Sequence, residues 1–347
     1  MLEKPNLQDE QITSCLYNEY GLNILEIRFL PLGADMNTAV YKAVAADALP
    51  YFVKLRRGTF NTISVDVPKF LHDAGIKQII APIVNRSGQL SSPLGEFNLI
   101  LSPFIDGHDG WNVDLSNPDW VEFGRVLKQI HSAVLPSALA ERIPSESYSP
   151  QWREMVRQFQ ANVETTSFAD PFAAGLAALL KDKQAVVNHL IKRAEDLCVI
   201  LQRQPLNQVL CHSDIHVGNV LINNNDGTLY IVDWDQPILA SKERDLMFIG
   251  GGLGGGRLSA EQEETLFYEG YGQTVIDPVA LAYYRYERIV QDIAAYCQQL
   301  LLTDEGGEDR AEGLRQISSQ FLPDAVIDMA YRTENMLPSD LQKHLDE

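Results

Sequence analysis

The chain is short of cysteine, of cations and of long apolar runs, and each shortage excludes a class of protein. Its four cysteines are scattered without any Cys-x-x-Cys pair, so neither a zinc site nor a disulfide framework is indicated. No apolar run approaches the roughly 18 residues of a membrane span, and residues 1–5 lack the basic and apolar segments of a signal peptide. The sequence therefore predicts a cytoplasmic protein with no membrane association.

Acidic residues also greatly outnumber basic residues. The 347 residues include 47 Asp and Glu but only 28 Lys and Arg, which gives a formal net charge of −19. Such a surface repels nucleic acid and anionic lipid and attracts cationic small molecules. Solubility alone would explain the same charge, so both interpretations stay open. We expect no nucleic-acid partner, and no segment of the sequence indicates an obligate protein partner.

Two polar motifs in the second half of the chain have the spacing of a phosphoryl-transfer site. Asp214 and Asn219, within His-Ser-Asp-Ile-His-Val-Gly-Asn, form an Asp-x-x-x-x-Asn pattern, and Asp233 follows within Ile-Val-Asp-Trp-Asp. Phosphoryl transfer needs one carboxylate for the attacking hydroxyl, and an Asn and a second Asp for Mg²⁺. The pattern predicts Asp214 as the catalytic base and Asn219 and Asp233 as metal ligands. A hydrolase that binds a metal through the same carboxylates is the alternative.

The segment between the two motifs is typical of a β-hairpin. Residues 220–222 and 229–232 are β-rich runs on either side of Asp226-Gly227. A two-residue turn there would place Asn219 and Asp233 opposite each other to within one residue, roughly 5 Å apart. The hairpin therefore predicts that both metal ligands meet at its open end.

The first hundred residues are rich in strand signals, and the rest of the chain is rich in helical periodicity. We expect strands over 24–30, 39–44, 51–55, 79–84 and 98–101, a short helix over 67–74, and helices over 117–130, 151–163, 172–201, 243–249, 261–270, 278–302 and 308–321. This order predicts an α+β, two-lobed, protein-kinase-like fold. Its parts are a small β-rich N-terminal lobe (1–101), a hinge (102–106) and a larger helical C-terminal lobe (107–347), with nucleotide in the crevice.

Lys54 is the candidate phosphate-binding lysine. It lies in an apolar strand that resembles the Val-Ala-Ile-Lys context, although an edge-strand lysine facing solvent is the alternative. No Glu occurs between Thr59 and Ile80, and Pro68 predicts that Asp66 is a helix N-cap, so the partner of Lys54 stays open.

The phosphate loop is predicted between the first two strands, over residues 32–38. It holds a single glycine, so its backbone and the polar residues Asp35, Asn37 and Thr38 would have to cradle the phosphates. The glycine-rich run at 250–256 follows a predicted helix rather than preceding one, and is expected to be a loop without that role.

Taken together, these motifs resemble the aminoglycoside phosphotransferase and choline kinase superfamily. The resemblance rests on residues 212–221, 231–235 and 242–252. Within the superfamily, residues 33–35, 71–77, 148–150, 152–154, 268–272 and 287–290 are similar to enzymes that phosphorylate the aminocyclitol antibiotic spectinomycin. The resemblance implies transfer of the γ-phosphoryl group of ATP, with Mg²⁺, to a hydroxyl of a cationic aminocyclitol, which would give antibiotic resistance.

Further residues follow from this resemblance. It implies that the hinge residues Ser102, Phe104 and Ile105 contact adenine, that Ile222 and Ile231 sandwich its ring, and that Arg244-Asp245 brace the catalytic loop. For the cationic acceptor, Asp235 is the first candidate carboxylate. The other candidates are Glu287 and Asp292, together with the aromatic residues Trp152 and Tyr271. A surface pair with Arg288 is the alternative for Asp292, and a place in the core is the alternative for both aromatic residues.

Three functions remain open from the sequence. The leading hypothesis is an antibiotic kinase, because no Ala-Pro-Glu segment follows Asp233 and Ser213 stands where many protein kinases have Arg, so a protein substrate is poorly supported. A metabolic kinase acting on choline, homoserine or a sugar amine is the nearest alternative. A nucleotide-binding pseudokinase is the third, although the predicted catalytic residues are all present.

Overall fold

The N-terminal part of the molecule is built on one antiparallel sheet. A computed structural model describes residues 1–33, 35–205, 207–251 and 258–346. The sheet has the order β1-β2-β3-β5-β4, and its strands are β1 (Ile24–Leu30), β2 (Thr38–Ala45), β3 (Pro50–Arg57), β4 (Ser92–Leu94) and β5 (Phe97–Pro103). Four of the five predicted strands are therefore confirmed.

One face of the sheet packs against the apolar core, and its other face is polar. On β3, Val53 and Leu55 are buried, and they pack with Ile12 of helix α1 (Asp9–Cys15) and with Leu16 of the following π-helix (Leu16–Tyr20). Because side chains alternate along a strand, Lys54 and Arg56 lie on the opposite face. That face carries the polar groups of the candidate site.

The predicted strand over 79–84 is wrong. Ile79 forms only an isolated parallel bridge with Ile231, and Pro82 lacks the backbone N–H that a strand ladder needs. Helix α2 (Ile63–Asp73) begins before the predicted start. Its N-cap is Thr62, so the prediction that Asp66 caps it is also wrong.

Short strands form two smaller sheets beyond the first. Strands β6 (Gly107–Asp109), β8 (Val220–Asn223) and β9 (Leu229–Ile231) form one with the order β6-β8-β9, and β7 (Val209–Cys211) pairs with β10 (Ile238–Ala240) in the other. The loops that follow β7 and β9 carry the two predicted catalytic motifs.

Helices make up most of the C-terminal part. They are α3 (Asn117–His131), α4 (Ser137–Ala140), α5 (Gln151–Thr165), α6 (Pro171–Asp182), α7 (Gln184–Leu201), α8 (Glu243–Leu246), α9 (Ala260–Tyr271), α10 (Pro278–Leu301), α11 (Gly307–Ser319), α12 (Val326–Glu334) and α13 (Ser339–Asp346). The single helix predicted over 172–201 is two helices, which meet at Lys183.

Helix α10 lies at the centre of this helical part. Its buried side chains pack against α5, α7 and α12 in one apolar core. The sheet-rich beginning and the helical remainder confirm the predicted α+β, two-lobed fold class, and the proposed hinge lies at the end of β5. Among the helices that the structure describes, none is both long and apolar enough to cross a membrane.

Candidate functional site

The hairpin of β8 and β9 brings the two predicted metal ligands together. Val220 pairs with Ile231, and the backbone N–H of Val232 donates to the carbonyl oxygen of Asn219 at 3.0 Å. Asn219 is thus opposite the residue next to Asp233, which agrees with the predicted register to within one residue. The predicted two-residue turn is wrong, because the strand pairing closes where Asn223 N donates to Thr228 O, and residues 224–227 form a longer loop.

The predicted catalytic loop, residues 212–219, is held by the side chain of Asp245 from α8. Its carboxylate accepts from the backbone N–H groups of His212 and Ser213 at 2.9 and 2.7 Å, and it contacts His131 Nε2 at 3.0 Å. Asp245 has no exposed surface. Its contacts agree with the expected bracing role.

Two residues at the site have backbone angles that L-residues rarely adopt. Ser213, directly before Asp214, has a φ of 73°, and Asp233 has a φ of 66°. Such a conformation costs free energy and persists where the surrounding contacts impose it, commonly at functional sites. At Ser213 those contacts are visible: its N–H is bound by Asp245, and its hydroxyl donates to Gln236 O at 2.7 Å.

Lys54 finds its partners on the loop after β9. Its Nζ lies 2.7 Å from Asp233 Oδ1 and 2.7 Å from Asp235 Oδ1. The two carboxylates near α2 are bound elsewhere, Asp66 by Arg142 and Asp73 by Lys69. Desolvation would raise the pKa of Asp233, but the charge and hydrogen bond of Lys54 outweigh it and hold that pKa below its ordinary value.

The placement of Asp235 does not fit the prediction that it binds the acceptor. One of its oxygens is held by Lys54, and the other lies 2.7 Å from Arg56 Nη1. Both cations lie on β3. The carboxylate therefore joins the loop after β9 to the N-terminal sheet.

Arg56 also organises the predicted phosphate loop. Its Nη1 lies 2.7 Å from Asp35 Oδ2 and 2.7 Å from Thr38 Oγ1, and the Thr38 hydroxyl donates to Asp35 at 2.8 Å. The side chains of Asp35 and Thr38 are thus bound to Arg56 and to each other, whereas Asn37 is exposed. No sequence motif marks Arg56, although its position two residues after Lys54 places both on one face of a strand.

Asp214 meets an arginine from α10. Its Oδ1 lies 2.7 Å from Arg288 Nη1 and 3.7 Å from His216 Nε2. Desolvation would raise the pKa of Asp214, but the charge of Arg288, with smaller contributions from His216 and His212, holds it below its ordinary value. The amide Nδ2 of Asn219 donates to the carbonyl oxygen of Asp214 at 2.7 Å, which connects the predicted base to a predicted metal ligand.

Aromatic rings surround this end of the catalytic loop. The His216 ring lies 5.6 Å from the ring of Trp111 and 6.1 Å from that of Phe248. Trp111 is 53% exposed, which is unusual for so large an apolar side chain. The sequence gives no site role to Trp111 or Phe248, and although His216 lies within the Asp214 motif and Arg288 is a possible partner of Asp292, it does not show that both contact Asp214.

Most of the residues predicted to contact the acceptor instead bind or pack against other side chains of the protein. Glu287 is buried, 2.9 Å from Arg153 Nη1, and desolvation raises its pKa to about 7. The hydroxyl of Tyr271, in the core, lies 2.8 Å from His131 Nδ1. Asp292 is bound by Arg288, and Trp152 packs partly buried against the helical core. Glu287 and Tyr271 do not fit the predicted acceptor contacts, because both side chains are buried and bound within the protein.

The residues predicted to contact adenine, in the hinge and at Ile222 and Ile231, differ in exposure. Ser102, Phe104 and Ile105 are half-buried at the end of β5, and Phe104 N donates to Pro50 O at 3.2 Å. Ile222 is also half-buried, but Ile231 has no exposed surface and belongs to the apolar core. Ile231 therefore does not fit the prediction that it contacts adenine.

The residues at the open end of the hairpin suit a magnesium ion. Mg²⁺ prefers hard oxygen ligands, one or two of them carboxylates, and completes its shell with phosphate oxygens and water. Asp233 supplies a half-exposed carboxylate, and Asn219, whose Nδ2 is already a donor to Asp214, keeps its Oδ1 as the remaining oxygen. The donor set therefore fits the predicted ion.

Comparison with known proteins gives relatives over nearly the whole chain. Spectinomycin phosphotransferase APH(9)-Ia, in a crystal structure with ADP and spectinomycin, is 38% identical, with a TM-score of 0.85 over 95% of this chain and 99% of that one. The AMP complex of APH(9)-Ia gives 38% identity and a TM-score of 0.82 over 94% and 99%. Choline kinase LicA from Streptococcus pneumoniae shares the fold, at 14% identity and a TM-score of 0.54 over 90% and 97%. A search of curated proteins found no match.

The family model that matches is that of the phosphotransferase enzyme family, APH. The match runs from residue 29 to residue 236, which is more than half of the chain. It includes the predicted phosphate loop, Lys54, the predicted catalytic loop and the Asp233 motif. The chain therefore belongs to the phosphotransferase enzyme family, and it is a kinase of that family.

Proposed function

We propose that the protein transfers the γ-phosphoryl group of ATP to a hydroxyl of a cationic aminocyclitol antibiotic of the spectinomycin type, with Mg²⁺, and thereby gives resistance to it. One observation carries the proposal: contacts link Asp214 to Asn219, Asn219 to the residue next to Asp233, and Asp233 to Lys54 of the sheet, and the proposed cleft lies where these residues meet. The similarity to an enzyme whose structure contains ADP and spectinomycin supports the choice of both substrates.

Each residue of the cleft has a part in this reaction. Asp214 orients the acceptor hydroxyl and takes its proton, which general-base catalysis by a carboxylate requires. Asn219 and Asp233 hold Mg²⁺, which when bound neutralises charge on the phosphate oxygens. Lys54, 2.7 Å from Asp233, is placed to bind phosphate oxygens beside the metal ligands.

The nucleotide lies, in this proposal, between the two lobes. Residues 1–101 and 107–347 form the walls, and the hinge over 102–106 offers backbone groups to adenine. Asn37, exposed in the phosphate loop, is the side chain of that loop left to contact the phosphates. Ile222, half-buried on β8, remains the candidate for contact with the adenine ring. Because ATP is an intracellular substrate, we place the reaction in the cytoplasm.

The acceptor lies next to Asp214. The exposed ring of Trp111, close to His216, offers an apolar wall for an aminocyclitol ring. The net charge of −19 favours the approach of a dication over that of an anion. These two features support a cationic, partly apolar small molecule as acceptor.

The test is ADP release from purified protein in a coupled assay with Mg-ATP. The acceptors are spectinomycin, a panel of aminoglycosides, choline and homoserine, and Asp214→Ala and a chelator serve as controls. We expect turnover with spectinomycin that both controls abolish. Turnover with another acceptor alone would replace the antibiotic by that substrate, and silence with every acceptor would contradict the proposed reaction.

A further inference from the structure

Arg288, on α10, connects the catalytic loop with the C-terminal helices. Its Nη1 lies 2.7 Å from Asp214 Oδ1, and its Nε donates to Asp292 Oδ1 at 2.8 Å. Gln320, which follows α11, donates to the second oxygen of Asp292 at 3.0 Å. A chain of four polar side chains thus begins at the proposed catalytic base and ends at the end of α11.

The surroundings of Arg288 fix its guanidinium group. The ring of Phe248 lies 5.5 Å from its central carbon, and Arg288 and Asp292 are each only 24% exposed. A planar guanidinium binds two carboxylates in fixed directions and stacks on an aromatic ring, which a lysine ammonium does not do. An ordinary surface pair would be solvated and would have no third partner 74 residues earlier in the chain.

We propose that Arg288 is a positioning residue for the phosphoryl transfer, and that Asp292 and Gln320 act only by holding Arg288. This inference rests on the proposed function. Both the Arg288 and the His216 contacts of the Asp214 side chain fall on Oδ1. Arg288 therefore fixes the rotation of the carboxylate and presents Oδ2 to the acceptor hydroxyl.

The backbone and the side chain of the base are then held by different elements. Asp245 binds the N–H groups of His212 and Ser213 and so fixes the loop, while Arg288 fixes the carboxylate. Phe248 follows α8, which carries Asp245, and it is also the ring over which the Arg288 guanidinium lies. Misplacing a reacting group by about 1 Å costs up to roughly 100-fold in rate, so a free carboxylate would be a poor base.

The test is a set of four variants: Arg288→Ala, Arg288→Lys, Asp292→Asn, and Arg288→Ala combined with Asp292→Asn. For Arg288→Ala we expect kcat to fall about 10- to 100-fold, while KM for ATP stays within about twofold, because only positioning is lost. Arg288→Lys should recover part of kcat, and added guanidinium should raise the rate of Arg288→Ala. The double variant should be no slower than Arg288→Ala, since Asp292 acts through Arg288.

Arg332→Ala is the matched control. Arg332 lies on α12, is 51% exposed and is 3.6 Å from Asp324, so its loss should leave kcat and KM for ATP unchanged. Thermal unfolding and ADP binding show whether each variant is folded. Additive effects of the two substitutions, or an unchanged kcat for Arg288→Ala, would overturn the inference. If the wild type does not phosphorylate spectinomycin, the proposed acceptor is wrong. The role of Arg288 is then decided by the ratio of each variant's kcat to that of the wild type, measured for slow ATP hydrolysis with water as acceptor.

Discussion

Lys54 is the residue on which the nucleotide side of the proposed reaction depends most. It is held 2.7 Å from both Asp233 and Asp235, so its charge lies next to a proposed metal ligand. We expect Lys54→Met to lower kcat/KM for ATP about 100-fold, since removing one donor from a transferring group costs roughly 10²–10³ in rate. Steady-state kinetics with ATP as the varied substrate measures this.

The control for that variant is Lys69→Met. Lys69 pairs with Asp73 on the surface of α2, away from the carboxylates that hold Lys54. It should therefore leave kcat/KM for ATP unchanged. Equal losses in the two variants would show that Lys54 acts through general charge or stability and not through the phosphates.

Glu287 is buried beside Arg153. We therefore expect it to affect the pH dependence of stability but not the binding of the acceptor. Desolvation raises its pKa to about 7 from the ordinary 4.5, so between these values the folded protein binds more protons than the unfolded chain. The free energy of unfolding then falls as pH rises, by about 3 kcal/mol for this group over that interval. We expect Glu287→Gln to remove that slope and to leave KM for the acceptor within about twofold.

Urea unfolding at several pH values between 4.5 and 8, with acceptor kinetics beside it, measures both effects. If Glu287→Gln greatly raised KM for the acceptor and left the pH dependence of the free energy of unfolding unchanged, Glu287 would be an acceptor-binding residue after all.

The residues that sequence could predict are those whose chemistry is local. Asp214, Asn219 and Asp233 are recognisable because one loop and one hairpin fix their spacing. Arg56 and Arg288 are not, because their partners lie 179 and 74 residues away along the chain. The sequence predicts acceptor contacts for Tyr271 and Glu287 because it does not show which polar side chains the folded protein buries.

At the scale of elements, α3 and α9 approach more closely than side chains would allow. A Cβ added at Gly124 would lie 2.0 Å from Phe267 O, and one at Gly270 would lie 1.7 Å from Val121 O. The obstacle in both cases is backbone, which cannot rotate away. We expect Gly124→Ala to lower the free energy of unfolding by about 1–3 kcal/mol, as overpacking does. Urea unfolding measures the change.

Gly175→Ala is the matched control within a helix. A Cβ there would lie 2.8 Å from the end of the flexible Leu314 side chain, which can move. The gain in helix propensity, roughly 1 kcal/mol, should offset that contact and leave stability similar or higher. If the two alanine variants were equally destabilised, the close packing of α3 and α9 would not be the cause.

The errors in predicted elements have identifiable causes. Residues 79–84 have the apolar residues of a strand, but Pro82 and a lone bridge at Ile79 leave them without a ladder. The region 172–201 keeps a helical composition through Lys183, where only the backbone angles show the break. The hairpin is predictable because its strands are apolar, whereas the length of its loop depends on hydrogen bonds of Asn223 that a sequence does not show.

At the scale of the whole molecule, the charge of −19 should act on a cationic acceptor before it reaches the cleft. Salt screens such long-range attraction, since the Debye length falls from about 30 Å at 0.01 M to about 10 Å at 0.1 M ionic strength. With ATP saturating, we expect kcat/KM for a dicationic acceptor to fall about three- to tenfold over this range. An acceptor whose amines have been acetylated is the control, and an equal fall for both would contradict electrostatic steering.

Transfer of a phosphoryl group to the antibiotic itself can be measured by mass spectrometry of spectinomycin after incubation with the protein and Mg-ATP. We expect the wild type to convert the antibiotic to a species heavier by one phosphoryl group, and Asp214→Asn to bind ADP but form none of that product. Unmodified antibiotic with the wild type, despite consumption of ATP, would contradict the proposed transfer.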